Sequence, residues 1–436
     1  MPAPLRLRWY TVATAVLFVL VAPAAAAQPV ALLPAELSML VAAAIDTHPS
    51  IKRARANRRA ALQDIDAARR AKWPTVSATT EANVGGADTT SQVAAIRIEQ
   101  TLWDQGAQEA RIAAVTTGAD ISALQLDLEQ QDLAMQTINA WQALLGAQRR
   151  YNAANATVNV IAGFKAQMAR RVDAQASPAI DLELVDARLL QTQVERLSAE
   201  NNVQLALQNL SRLTGITDLS SRPWAAPSQV AAPLTRAGEA AFEAAISRAN
   251  WDAVVQGHPL VTKARLEYSQ VGEQLRAKQA DRWPQAYARI DQPLANNPLT
   301  GSNQATLLVG LRYTPGAGFS TQLEAQALAT RLEAQAFEID KVARTVDQLI
   351  YDDQQTFSVS VAHAAAQSLS LAGSQRVLAS YERQFQAGRK TWQDLLNAAR
   401  EVAQNAFSLS DTQSTIQGAM YRLQVRLGVL STMTEH

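Results

Sequence analysis

The feature that most constrains this chain is a duplication. The segment from His48-Pro49 to Trp73-Pro74 returns as His258-Pro259 to Trp283-Pro284, displaced by 210 positions with no gap. Inside it Ala54-Arg55 reappears as Ala264-Arg265, and Ile51 and Ile65 are answered by Val261 and Leu275. The chain is two copies of one unit, so a fold that serves one half must serve the other.

The segment ahead of the first copy reads as an address. Arg6 and Arg8 precede an apolar run from Tyr10 to Ala22, and Ala25-Ala26-Ala27 supplies small residues before Gln28, the pattern of a secretory signal peptide over residues 1–27. A membrane anchor is the alternative, but the run falls short of the ~20 apolar residues of a spanning helix, and no later stretch reaches that length. A membrane role for the mature protein therefore has to use strands. The chain has no cysteine, which excludes disulfides, thiolate metal sites and a lipidated N-terminal cysteine. A net charge of +1 over 436 residues lacks the basic excess of a phosphate-backbone binder. Nucleic acid is not an expected partner.

Helical and extended patterns alternate along each copy. From Leu37 to Thr47 the chain reads as helix and restarts at Pro49, where the missing N–H has no intrahelical acceptor to lose. The second helix ends before Trp73-Pro74, since proline biases its predecessor away from the α region. The period then becomes two: Val76, Ala78, Thr80, Ala82 and Val84 share one parity and Ser77, Thr79, Glu81 and Asn83 the other. After the Gly85-Gly86 loop, Ala94, Ile96, Ile98 and Leu102 alternate with Arg97, Glu99 and Thr101. A hairpin over about 75–103 with one apolar and one polar face suits a lipid-facing barrel wall. It equally suits a half-exposed sheet in a soluble domain. Trp73 and Trp103, near the strand ends, are either interfacial aromatics or packing residues where helix meets strand. Two strands cannot close a barrel, nor can four, so a membrane reading requires oligomerisation to pair the edges.

Beyond Gly106 the period is helical again for most of the repeat. Ile121, Leu124, Leu128, Gln131, Met135, Ile138, Gln142 and Leu145 form a heptad seam. A helix from Ala107 to Arg170 would be about 95 Å long at ~1.5 Å per residue, which implies an extended bundle or tube. It breaks at Ala176-Ser177-Pro178, and a partner runs from Ile180 to Leu213, stopped by Gly215. Residues 28–216 thus form the first repeat. The Pro-, Ser- and Ala-rich stretch 217–237 is a linker, and residues 238–436 are the second repeat. There a helix restarting near Gly238 passes His258-Pro259, and a hairpin over about 285–314 alternates Ala286, Ala288 and Ile290 with Gln285, Tyr287, Arg289 and Asp291. The offset then becomes 213, aligning Asp181-Leu182 with Asp394-Leu395, so three residues were gained in the hairpin loop. The second seam is Leu332, Gln335, Ile339, Val342, Val346, Leu349 and Asp353.

This order of elements, the two His-Pro to Trp-Pro units, and the motif Phe385-Gln-Ala-Gly388-Arg-Lys-Thr-Trp-Gln-Asp394-Leu-Leu-Asn397-Ala398 resemble the TolC family of outer-membrane efflux and secretion channel proteins. The resemblance covers nearly the whole mature chain. It implies a mainly α fold with transmembrane β: a long coiled-coil helical barrel, two internal structural repeats, and four strands per subunit completing a trimeric 12-stranded β-barrel. It also implies a homotrimer in outer-membrane lipid, with the helical barrel extending into the periplasm. The implied partners are a periplasmic adaptor (membrane fusion) protein and an inner-membrane ABC or RND transporter. Trp73, Trp103, Trp283 and Tyr313 become membrane-interface aromatics. Carried over, Asp394 forms a pore gate, a ring of three carboxylates, and the next inward position, often a second acid, is Asn397 here. Lys390 and Asp181 become a gating latch between adjacent helical hairpins, each exposed pair contributing only ~0 to 1 kcal/mol. The same residue at Asp394 is also a first-turn acid that the helix dipole favours.

Catalytic chemistry is missing from the sequence. His48 and His258 belong to the repeated His-Pro elements and read as helix-entry residues, and no Walker loop, dinucleotide fingerprint or HExxH helix appears. Gly316-Ala-Gly318 reads as a backbone turn. No cofactor or metal is expected. The function expected is a passive exit duct. The Tyr313-Thr-Pro-Gly-Ala-Gly318 turn resembles that of members serving type I secretion of large adhesins, with multidrug or metal efflux as the alternative. A soluble periplasmic coiled-coil adaptor or scaffold is the alternative of another class.

Overall fold

The computed structural model describes residues 33–82, 92–229, 235–294 and 304–427. The expected signal peptide, the Gly85-Gly86 turn and most of the second hairpin loop lie outside them. The first copy contributes α1 (Ala35–Thr47), α2 (Pro49–Arg70), β1 (Thr75–Ala82), β2 (Gln92–Trp103), α3 (Ala107–Asp173) and α4 (Ala179–Thr214). The second contributes α5 (Arg236–Arg248), α6 (Trp251–Gly257), α7 (Pro259–Ala280), β3 (Gln285–Pro293), β4 (Thr306–Arg312), α8 (Ser320–Gln386) and α9 (Trp392–Arg426).

The His-Pro elements are helix starts built twice. His48 Nδ1 accepts the Ser50 N–H at 3.3 Å and His258 Nδ1 accepts the Leu260 N–H at 3.2 Å, with Pro49 and Pro259 as first helical residues. Each imidazole satisfies a backbone donor that the first turn leaves without a partner. The second copy departs from the continuous helix expected between Gly238 and His258. It breaks at Ala249-Asn250 because Asn250 caps a new helix, accepting the Ala253 N–H at 3.2 Å, and Trp251 Nε1 donates to the Ile246 carbonyl at 2.9 Å.

α3 and α8 each run 67 residues unbroken, about 100 Å at ~1.5 Å per residue. In the strand-side half α2 packs on α3, and α7 on both α3 and α8; in the other half α4 packs on α3, and α9 on both α3 and α8. The result is a curtain of four helices in each half, ordered α2-α3-α7-α8 and α4-α3-α9-α8. Its main core lies where the halves meet. Leu37, Leu40, Ile138, Leu144, Leu145 and Phe357 are fully buried there, each such side chain contributing about 1.5–3 kcal/mol. Trp141 packs on Trp224 with centroids 5.3 Å apart, and Gln148 Nε2 donates to the Trp224 and Ala226 carbonyls at 2.8 and 3.0 Å. The linker is thereby pinned to α3.

The heptad seams are only partly kept. Ile138 and Leu145 are buried in α3, but in α8 Leu349 is exposed and Ile350 takes its place, followed by Asp353 and Phe357. A straight helix falls ~20° short of two full turns per heptad, so the inward position moves forward by one residue.

Asp353 is buried where α8 meets α9. Its two carboxylate oxygens pair with Arg422 Nε and Arg426 Nε, both at 2.8 Å, and Arg422 also donates to Gln142 Oε1 at 2.9 Å. His258 lies beside this cluster. Burial first, and the Arg426 charge second, push its imidazole down to about 4, so it stays a neutral acceptor for the Leu260 N–H.

Two outcomes follow for stability in detergent. Asp353→Ala leaves two largely buried guanidinium groups uncompensated and is expected to cost about 3–5 kcal/mol, read as a lowered thermal midpoint that Asp352→Ala, an exposed neighbour, does not reproduce. In His258, the unfolded chain binds a proton near 6.5 and the folded chain near 4. Stability is therefore lost as pH falls through that window, by up to about 3 kcal/mol. His258→Asn keeps a capping oxygen and is expected to flatten the thermal midpoint between pH 6.5 and 4; an unchanged slope assigns the acid sensitivity elsewhere.

Candidate functional site

The strands form one antiparallel sheet in the order β1-β2-β3-β4, so β2 and β3 join the two copies. Register puts the alternating residues in line: Val76 faces Ile98, Ile98 faces Ile290, and Ile290 faces Leu307, an apolar row across all four strands. Val309 and Leu311 extend this face, and both are exposed. The opposite face is ionic. Arg97 Nε and Arg289 Nε hold the two oxygens of Asp291, each at 2.8 Å, and Arg312 grips Glu99 through two guanidinium nitrogens at 2.8 and 2.9 Å. The Arg312 guanidinium also lies 4.5 Å from the Tyr287 ring centroid. Gly310 makes this possible, because a Cβ there would stand 3.0 Å from the Tyr287 hydroxyl. The sequence pattern predicts the polar parity; these pairings depend on register, which alternation alone does not specify.

Trp73, Trp103, Trp283 and Tyr313 are all exposed and stand at the same end of the sheet, where it meets the helices. A bulge between Thr101 and Trp103 interrupts the alternation at Leu102, so Leu102 and Trp103 are both exposed. At this junction the Gly316-Ala-Gly318 segment is a backbone turn, with Gly316 at φ 78°, Gly318 at φ 61° and Phe319 also left-handed at φ 60°.

At the far end each long helix turns back in the same way. Gln175 at φ 58° and Gly388 at φ 72° occupy equivalent left-handed positions. The Ala176 N–H reaches the Arg171 carbonyl and the Arg389 N–H the Gln384 carbonyl, both at 2.8 Å, closing the helix ends. The tip has its own core. Trp392 packs against Phe164 and Phe385 with centroids 5.6 and 5.1 Å away, and Arg171 covers Phe385 at 4.9 Å.

Asp394 is held by the start of α9. The Thr391 hydroxyl donates to its Oδ2 at 2.8 Å, the Thr391 N–H donates to the same oxygen at 3.1 Å, and the Asp394 N–H returns a bond to Thr391 Oγ1 at 3.2 Å. This capping box keeps the carboxyl below the usual range, through the Thr391 hydroxyl first, then its N–H, with Lys390 adding attraction. Asn397 is exposed one turn on, its Oδ1 accepting from Arg400 at 3.3 Å. Lys390 Nζ sits 4.4 Å from the Tyr381 ring centroid and 3.9 Å from Asp394 Oδ2. Asp181, at the first turn of α4, makes no ion pair among the described residues. The structure thus brings Lys390 to Asp394, and within one chain it does not bring Lys390 to Asp181. Tyr381, Thr391 and Trp392 were not singled out by sequence reasoning, although Thr391 and Trp392 lie inside the quoted motif; Thr391, three residues before Asp394, is the capping signature that exposes it.

Among the described residues no His, Asp or Glu cluster is arranged to hold a metal ion. No described helix is long and apolar enough to cross a membrane.

Residues 40–216 match the family model described as outer membrane efflux protein. The fold is similar to that of CusC, with a TM-score of 0.76 and 14% identity, covering 90% of this chain and 92% of that one. It is similar to the Vibrio cholerae outer membrane protein VceC, with a TM-score of 0.75 and 15% identity over 90% and 96%. A Pseudomonas aeruginosa membrane protein gives a TM-score of 0.74 and 16% identity over 91% of each chain. No curated protein matches in sequence. Residues 40–216 thus carry the outer membrane efflux protein signature, and nine-tenths of the chain has the fold of these outer-membrane proteins of known structure.

Proposed function

We propose that three copies of this chain assemble into a passive exit duct that carries cargo from a periplasmic adaptor and an inner-membrane ABC or RND transporter across the outer membrane. The observation that carries this reading is the sheet: one apolar face, one ionic face, and two edge strands, β1 and β4, without a partner strand among the described residues. In lipid such edges cost several kcal/mol per unpaired group, and two further copies remove them by closing twelve strands. The ionic face then lines a wet lumen, and Trp73, Trp103, Trp283 and Tyr313 form the periplasmic-side aromatic belt. The duct does no chemistry and takes its energy from the transporter.

At the tip, Asp394 supplies a ring of three carboxylates, with Asn397 as a neutral ring beside it. Lys390 and Asp181 form the latch across neighbouring copies, which requires Lys390 to leave the Tyr381 ring. Asp394→Ala also loses part of the α9 cap, so Asp394→Asn is the cleaner variant. In planar bilayers Asp394→Asn is expected to lower cation preference and block by multivalent cations, and unchanged reversal potentials would remove Asp394 from the gate.

The Tyr313-to-Gly318 turn supports a large secreted protein as the cargo; multidrug or metal efflux is the second reading, favoured by the efflux-protein signature. Deleting the chain from its host separates them. Retention of a large surface or secreted protein with dye extrusion unchanged is the outcome expected, and dye accumulation with secretion intact assigns the duct to efflux.

A further inference from the structure

At the level of the main core the two faces of the curtain differ. One face carries α1, α5 and the linker: Trp141 and Gln148 of α3 meet Trp224 there, and Ile416 of α9 is buried in the same core. At ~3.6 residues per turn, Asn139 and Gly146 lie roughly half a turn around α3 from Gln148, and Asp411 and Ser414 roughly half a turn around α9 from Ile416. These residues, with Gln142 and Arg422, line a recess of about 510 Å³ on the opposite face. Three curtains of four helices at ~8–10 Å spacing close a ring roughly 35 Å across between opposite axes. Helices ~10 Å thick from three copies of α1 and α5 would fill its bore. In the duct proposed above they therefore lie outside, and the recess opens on the lumen.

The recess is built to donate. Arg422 is anchored from behind by Asp353, whose Oδ1 lies 2.8 Å from its Nε, and its Nη1 donates to Asn139 Oδ1 at 3.2 Å and Gln142 Oε1 at 2.9 Å. Both amide oxygens are thereby used on the arginine. The amide nitrogens of Asn139 and Gln142 are left as donors with no acceptor among the described residues. Gly418 gives Gln142 its place, because a Cβ at that position would overlap the Gln142 amide. Asp411 also lines the recess, but its Oδ2 accepts from Arg150 Nη1 at 3.2 Å, and Arg150 in turn rests 5.1 Å from the Phe407 ring centroid. Around the recess Arg149, Arg150, Arg422 and Arg426 stand against Asp353 and Asp411, so the balance is positive. Asp352 is exposed on α8 and does not line it.

Donors without acceptors, backed by positive charge, select an oxyanion. We infer that Asn139, Gln142 and Arg422 form a carboxylate-binding recess on the lumen wall, one per copy, where acidic groups of passing cargo bind. This rests on the duct reading above and adds a contact with cargo at the waist, opposite in sign to the carboxylate of Asp394. The duplication does not repeat it. At the offset of 213, Asn139 and Gln142 become Asp352 and Gln355, and Arg422 becomes Asn209. The equivalent positions offer an acid and no guanidinium, so a trimer carries three such recesses and not six. The Arg422 side chain remains 18% exposed, which suits a station that binds and releases, as passage through a pore requires.

Two probes test this on the full-length protein, by calorimetry in detergent and by current in planar bilayers: tricarballylate, a small tricarboxylate, and a hexaglutamate peptide. Saturable binding of at least one is expected, with block of the current over the same concentrations. Binding of the peptide alone assigns the recess to extended acidic chains, and binding of both assigns it to carboxylates of either source. Asn139→Asp keeps the acceptor for Arg422 and replaces an exposed donor by a carboxylate. It is expected to weaken binding and block by about tenfold or more, the worth of one hydrogen bond to a charged group. Gln142→Glu keeps its acceptor likewise and gives the same reading should Asn139→Asp assemble poorly. Asn209→Asp adds the same charge at an exposed position outside the recess, and is expected to leave binding within about twofold of the unaltered protein, since exposed charges are screened. No saturable binding of either probe, or equal losses in Asn139→Asp and Asn209→Asp, overturns the recess. Binding that Asn139→Asp weakens, with a current that neither probe blocks, overturns its place on the lumen. A chain that forms no channel overturns the duct, and calorimetry then still decides the recess.

Discussion

Backbone hydrogen bonding at the edges of the sheet governs this molecule. β1 and β4 each have one side without a strand partner, and a strand edge in hydrocarbon has no water to turn to. The helical curtain repeats the problem in another form: its outer members, α4 and α8, end in exposed leucine, valine and tyrosine rather than in charge. Both deficits run along the same two flanks of the chain. In the proposed trimer one assembly step satisfies them together, which links the strand pattern to the length and spacing of the helices.

The fold was legible in the sequence wherever a local signal and its repeat agreed. Proline at positions 49 and 259 marks helix starts, period-two alternation marks the four strands, and the long helical stretch without a breaker marks α3 and α8. The misses share a physical origin. Asn250 ends a helix by side-chain capping, which a hydrophobic period does not register. Leu349 yields to Ile350 because a straight helix does not keep a 3.5-residue repeat. The ionic ladder of Arg97, Asp291, Arg289, Glu99 and Arg312 depends on register between distant strands, which no single strand encodes.

The tip illustrates how one residue serves two demands. Asp394 stabilises the first turn of α9 by satisfying the Thr391 N–H, and the same bonds fix where its charge points. A carboxylate anchored by a cap keeps its position as its surroundings change. Lys390, resting on an aromatic face rather than in a close ion pair, is held more loosely. The rigid anion and the adaptable cation sit side by side, and both owe their places to the turn around Gly388.

The unbroken length of α3 and α8 has a mechanical meaning. Both helices pass through the core around Leu145 and Phe357 and continue to the turns at Gln175 and Gly388 with no break in backbone hydrogen bonding. The part of α3 beyond Leu145 is a stiff arm of about 40 Å at ~1.5 Å per residue. Tilting such an arm by about 5° at its root moves its end by about 4 Å, more than the width of a water molecule. In the proposed duct, access through the tip is then a matter of leverage: small rotations at a dense fulcrum, amplified by distance, with no hinge in the arm itself.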